Sequence, residues 1–256
     1  MNTETENFII ESDKKINYFD EIVENVKEFE KKLLGYFELK KLERKYTISI
    51  VKYDTFKDLI ISKYGKIQNY QRGNTDYKSR KITILDFDDQ IKYTNHKDSN
   101  VADCIKMIKH EMVHAFNSEF NHDYRQTIWF REGLAINLAK QNYEIEDLSS
   151  CDFEKLKNDW YNYGKTNYRC AYIIVRYMLE TFAKDEVLEY VADSNFLRAN
   201  ADKIFEEAKE YFKEMYRMEN PKYLKVVRGT DSSNGIFEYK IDKINVANNW
   251  NPNGKT

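Results

Sequence analysis

Two histidines four residues apart enclose a glutamate in the run His110-Glu111-Met112-Val113-His114. On an α-helix that spacing leaves the two side chains about 40° apart around the axis, so both imidazoles face one way and can reach one ion. Imidazole nitrogens suit zinc, whose catalytic sites use three protein ligands and keep a further position open. Glu132, in Trp129-Phe130-Arg131-Glu132-Gly133-Leu134-Ala135, is the candidate third ligand. It follows His114 by eighteen residues, room for a loop and a second helix returning beside the first. Glu111 need not bind the metal. One residue after His110, it can stand beside the open position, take a proton from water and hand it to a leaving amine. The expected cofactor is therefore Zn2+. A packed, hydrogen-bonded histidine pair is the plainer reading of such a motif. Against it, only four histidines exist, His96, His110, His114 and His122, and two of them occupy this motif.

These side chains need two helices. Ile105, Met107, Ile108, Met112 and Val113 recur at helical spacing and predict a helix from about Val101 to Phe116. A second helix is expected to begin near Thr127 and carry Glu132, with Leu134, Ala135 and Leu138 on its apolar side. Upstream, apolar positions from Ile16 to Leu34 predict a long helix from about Asp13 into Leu42, weakened or ended by Gly35. The β-branched run from Lys45 to Tyr53 predicts a strand, followed by a short helix capped by Asp54 or Thr55 and stopped at Gly65. Residues 66–79 are polar, with Gly73, Asn74 and Asp76 marking a turn or exposed loop, and Lys81 to Phe87 predicts another strand. From Phe153 to Met218 the chain is mainly helical, and Pro221 marks its end. The expected fold class is α+β: a small N-terminal sheet packed with helices, a metal-binding helix pair, and a mainly helical C-terminal part. Residues 1–220 are expected to form one domain and 221–256 a short appendage.

Composition sets the outer limits. The 256 residues are 41% hydrophobic and 33% charged, with only two prolines and eight glycines, which suits a helix-rich globular chain. A net charge of −2 without a basic stripe gives no expectation of a nucleic-acid partner, although the stretch from Lys222 onward is mildly basic. No run of eighteen apolar residues exists and the N-terminus lacks the pattern of a secretory signal, so membrane insertion is not expected and the cytoplasm is the default location. Cys104, Cys151 and Cys170 are odd in number and widely spaced, and are expected to be reduced thiols.

With both motifs in view, the chain resembles the gluzincin zinc metallopeptidases, the broad superfamily of thermolysin-like and aminopeptidase-like enzymes. The resemblance rests on His110-Glu111-Met112-Val113-His114 and on Trp129 to Ala135. It implies that Glu132 completes the zinc site, that Glu111 is the base, and that the substrate is a peptide or flexible protein. It also implies a group opposite the metal that stabilises an oxyanion. The segment from Tyr168 to Leu179 is similar to the one supplying a tyrosine in aminopeptidase-like members and nominates Tyr168, with Tyr161, Tyr163 and Tyr172 as competitors.

Two departures mark a divergent member. Ile136 stands four residues after Glu132, where thermolysin-like proteins often place an acidic residue that orients a ligating histidine, so that acceptor must come from elsewhere, such as a backbone carbonyl. No Gly-x-Met-Glu-Asn type of exopeptidase segment precedes the histidine motif. Residues 66–86 either supply an edge strand for an extended substrate or form an ordinary exposed loop and strand. His122 and Asp123 are expected in a solvated loop, and His96 has no spacing that implicates it. A noncatalytic zinc-stabilised module and a hydrolase of nonpeptide amides stay open as alternatives.

Overall fold

The structure, a computed structural model, describes residues 1–121, 127–141, 143, 148–162 and 166–219. Contacts along the chain gather Met1–Tyr216 into one unit and Arg217–Thr256 into another. Pro221 and the expected appendage lie outside the described residues.

The protein is α+β. Five strands, β1 (Asn2–Glu4), β2 (Phe8–Ser12), β3 (Tyr46–Val51), β4 (Gly73–Asp76) and β5 (Lys81–Leu85), form one sheet in the order β1-β2-β3-β5-β4. The three inner strands are parallel, while β1 and β4 run antiparallel to their neighbours at the two edges. Parallel neighbours require crossovers. Helix α1 (Phe19–Phe37) connects β2 to β3, and α2 (Tyr53–Tyr64) follows β3. After β5 come α3 (Phe87–Tyr93), α4 (Val101–Asn117), α5 (Ile128–Leu138), α6 (Phe153–Asn158), α7 (Thr166–Thr181), α8 (Lys184–Ala192) and α9 (Ser194–Glu219).

Strand alternation separates the two faces of the sheet. Phe8, Ile10, Tyr46, Ile48, Ile50, Ile82 and Ile84 share one face by register and are all buried. That face meets α1 and α4: Phe116 lies against Phe8 and Phe37, and the Tyr46 hydroxyl shares a 2.7 Å hydrogen bond with Ser118 at the end of α4. The opposite face carries Glu11, Thr47, Ser49 and Lys81, and at Val51 and Leu85 it packs against Phe56 and Ile60 of α2. Gly73 and Thr75 pair with Ile84 and Ile82, so β4 turns both toward α4.

Several expectations change. The long helix starts at Phe19 and not near Asp13, because Phe8 to Ser12 join the sheet, and it runs through Gly35 to a left-handed Glu38 at φ 55°. Neither Asp54 nor Thr55 caps α2; Lys52 occupies the cap position, and the Tyr53 amide donates instead to Asp89 at 2.7 Å. Within the expected polar loop, residues 73–76 form a strand, because β5 supplies an antiparallel ladder that Gly73, Asn74 and Asp76 do not favour by propensity. The cysteines are not all thiols: Cys151 and Cys170 form a disulfide, and Cys104 is free and buried. Wide spacing misled there, since the turn of chain through α6 brings Cys151 back onto α7. Among the described residues, no helix is long and apolar enough to cross a membrane.

Candidate metal centre

A reciprocal capping box starts α4. The Asn100 side chain accepts from the Asp103 amide at 3.0 Å, and Asp103 accepts from the Asn100 amide at 3.2 Å. From there the helix buries Cys104, Ile105, Ile108, Met112, Val113 and Phe116, which fixes its rotation and puts His110 and His114 toward α5. Helix α5 crosses α7 so closely that a Cβ on Gly133 would meet the Ala171 carbonyl oxygen at 2.4 Å. Asn137 bridges the same pair, donating to the carbonyls of Gly133 at 2.8 Å and Tyr172 at 3.0 Å. This packing aims Glu132 at the two imidazoles.

Their ligand atoms converge. His110 Nε2 lies 3.1 Å from His114 Nε2 and 3.2 Å from a Glu132 oxygen, and His114 Nε2 lies 3.3 Å from the other oxygen. Bonds of about 2.0–2.1 Å in a tetrahedral zinc site imply ligand atoms about 3.3 Å apart, so the spacing fits that ion. The chemistry of the donors fits as well. His110 Nδ1 is 2.9 Å from Gln141 Oε1, an acceptor, which assigns the proton to Nδ1 and leaves the Nε2 lone pair facing the group. That lone pair, the second imidazole and the carboxylate form a group that could hold a cation. The electrostatics agree in direction: burial alone would lower the His110 pKa, yet the Glu132 carboxylate raises it overall. Burial likewise pushes Glu132 up, and the two imidazoles outweigh it and hold the carboxyl well below its usual range.

The orienting acceptor is thus a side chain and not a backbone carbonyl. Helix α5 ends in a Schellman turn, with the Gln141 amide donating to Ile136 O at 3.0 Å and the Lys140 amide to Asn137 O at 3.1 Å. Lys140 takes the left-handed conformation, φ 56°, that glycine usually supplies. This reversal returns Gln141 to His110, while Ile136 is buried in the core.

Glu111 stays outside the cluster of three. Its Oε2 accepts from the Thr75 hydroxyl at 2.6 Å, and its Oε1 lies where a Cβ on Gly73 would come within 2.6 Å. Sequence reasoning placed Gly73 in a loop and passed over Thr75, because only the β4–β5 register brings them to α4.

Tyr168 lies in the first turn of α7, partly buried, with its ring edge-on to Trp160 at 5.1 Å. Burial, then the negative charge of Glu132, raises its pKa well above the usual tyrosine value. Among its competitors, Tyr161 is 82% exposed, Tyr172 is buried with its hydroxyl accepting from Arg176 at 3.0 Å, and Tyr163 lies outside the described residues. Tyr143, not considered from sequence, is also raised by burial and by Glu132. His96 sits elsewhere, its ring 3.2 Å from the Tyr70 carbonyl oxygen, and His122 and Asp123 lie outside the described residues.

No family model matches this chain, and no curated protein matches it.

Proposed function

We propose that this protein is a zinc-dependent peptide hydrolase of the gluzincin type. The observation that carries this reading is the division of labour among four side chains. His110, His114 and Glu132 gather their ligand atoms at zinc-site spacing, while Glu111, next in sequence to a ligand, is kept apart with Oε2 bonded to Thr75. A bound zinc ion supplies Lewis-acid polarisation of the scissile carbonyl and makes a water molecule more acidic. Glu111 would serve as the base beside the site, taking a proton from a water molecule and delivering it to the leaving amine.

A peptide is the substrate class favoured by β4. It is one of the two edge strands of the sheet, paired to β5 among the described residues, and it borders Glu111. An extended peptide backbone can add to such an edge by main-chain hydrogen bonds, which presents its carbonyls in register beside the base. Tyr168 is assigned the oxyanion role. A tyrosine phenol is protonated at neutral pH, so it has a hydrogen to donate.

The test pairs metal analysis with a diverse peptide library. The native chain and Glu111→Gln are both expected to bind one zinc ion, and only the native chain to cleave. Tyr168→Phe is expected to lower turnover strongly with zinc retained; if Tyr143→Phe has that effect instead, the oxyanion role moves to Tyr143. A native protein that holds zinc and cuts no peptide across pH and salt overturns the hydrolase reading, and one that binds no divalent ion overturns the site.

A further inference from the structure

A glutamate acting as a base has a soft joint where it matters most. The terminal torsion of its side chain joins a tetrahedral to a planar carbon and has only a broad, roughly two-fold preference, so packing of the stem does not fix which oxygen faces the reaction. In this protein the missing constraint comes from β4. Gly73 and Thr75, two residues apart on a strand, face the same way, and both touch the Glu111 carboxylate. The Thr75 hydroxyl has one proton and two acceptors within reach, Glu111 Oε2 at 2.6 Å and the Glu111 main-chain oxygen at 3.3 Å. The shorter contact, to a charged acceptor, takes the proton.

Gly73 completes the seat by what it lacks. A Cβ there would lie 2.6 Å from Oε1, 3.0 Å from Cγ and 3.1 Å from Cδ of Glu111, so the carboxylate and the end of its stem rest on the strand backbone where no other residue leaves room. The alternate residues of β4 point away from this seat and hold the strand from its other face. Asn74 accepts from the Tyr64 hydroxyl at 3.0 Å, and Asp76 pairs with Lys63 at 3.6 Å. The strand is therefore anchored to α2 on one side and presents a shaped surface to α4 on the other.

Resting on the hydrolase reading above, we propose that Thr75 is a positioning residue for the base: with Gly73 it fixes the rotation of the Glu111 carboxylate, holding Oε2 by a hydrogen bond and seating Oε1 on the strand backbone. The strand that seats the base is also the edge that can bind substrate backbone. Substrate register and base position are thereby referred to the same four residues, and the position of the carboxylate does not depend on the mobility of a long side chain. Loss of the Thr75 hydroxyl leaves the β4 backbone and the metal ligands in place and disturbs only the chemical step.

The decisive experiment is a mutant cycle on the zinc-loaded full chain, using a peptide that it cleaves. Thr75→Val keeps the shape and removes the donor; it is expected to lower kcat by about 10- to 100-fold, with KM within about twofold and zinc content unchanged. Thr75→Ser restores the donor and most of the rate. In the Glu111→Gln background, Thr75→Val should have no further effect on residual turnover, since a residue that acts through Glu111 has nothing left to position. A Thr75→Val loss that persists undiminished in that background, or a Thr75→Ser variant as slow as Thr75→Val, overturns the proposal. Crystal structures of native and Thr75→Val protein supply a readout independent of turnover. The carboxylate is expected on Thr75 in the first and turned away in the second. An unmoved carboxylate in Thr75→Val overturns the positioning role even if the chain cuts no peptide, whereas absent cleavage with a moved carboxylate overturns only the hydrolase reading.

Discussion

Ile136 and Gln141 show how one requirement can be met from a different place in the chain. A zinc-binding imidazole needs an acceptor on its far nitrogen to hold its tautomer and orientation. Position 136 is apolar core, and Gln141 Oε1 meets the need at 2.9 Å from His110 Nδ1. Gln141→Ala is expected to weaken zinc binding by about 10- to 100-fold, the usual effect of losing such a partner. Competition with a chromophoric chelator measures it, and an unchanged affinity would mean that His110 is oriented by its packing alone. Much of the site was legible residue by residue. His110, Glu111, His114 and Glu132 stand at spacings that a helix converts directly into shared direction. Gln141 was not legible, because its placement depends on a left-handed Lys140 where the usual signal for such a turn is glycine. Gly73 and Thr75 were hidden for a different reason: what they touch is set by pairing across the sheet.

At the scale of elements, the two helices that carry His110, His114 and Glu132 could be read from their apolar periodicity: the first spans Val101–Asn117 against an expected Val101 to Phe116, and the second begins at Ile128 against an expected start near Thr127. The strands were less visible. Strand β2 begins a segment whose apolar residues run on toward α1, and β4, four residues long, contains Gly73, Asn74 and Asp76, types depleted in strands. The close crossing of α5 and α7 was likewise invisible, yet it aims Glu132. Gly133 is the residue that permits it: an added methyl group would meet Ala171 O at 2.4 Å and Val175 Cγ2 at 2.6 Å. Backbone cannot yield as a side chain can, so Gly133→Ala must push the helices apart. Overpacking of this kind costs about 1–3 kcal/mol. Urea denaturation should show that loss, and zinc affinity should fall with it because Glu132 moves with its helix. A variant as stable as the parent would show that α5 and α7 can separate without strain.

At the scale of the whole molecule, α6 and α7 pack against α5, the helix that carries Glu132, and one covalent link ties this part of the chain down. Cys151 follows the short turn at Leu148–Ser150, and Cys170 lies in α7 two residues after Tyr168. The link closes a loop with a sequence separation of 19 that contains α6 and Trp160, the residue packed on Tyr168. The chain entropy that closing such a loop removes from the unfolded state is worth about 3 kcal/mol, so replacing both cysteines by serine should lower stability by roughly that amount. Three cysteines gave no hint of this partnership, since an odd count does not say which two meet. The bond also makes a count that is simple to check. Unfolded without reductant, the protein should titrate one thiol, Cys104, and after reduction three; three at the outset would rule the link out. The effect on the site should be uneven. His110, His114 and Glu132 lie on α4 and α5, outside the closed loop, so the Cys151→Ser, Cys170→Ser variant should bind zinc as the parent does while folded. Tyr168 lies inside it, and turnover should fall before metal binding does as denaturant is added. If zinc affinity and turnover decline together, the closed loop supports the metal ligands themselves and not only the oxyanion side of the site.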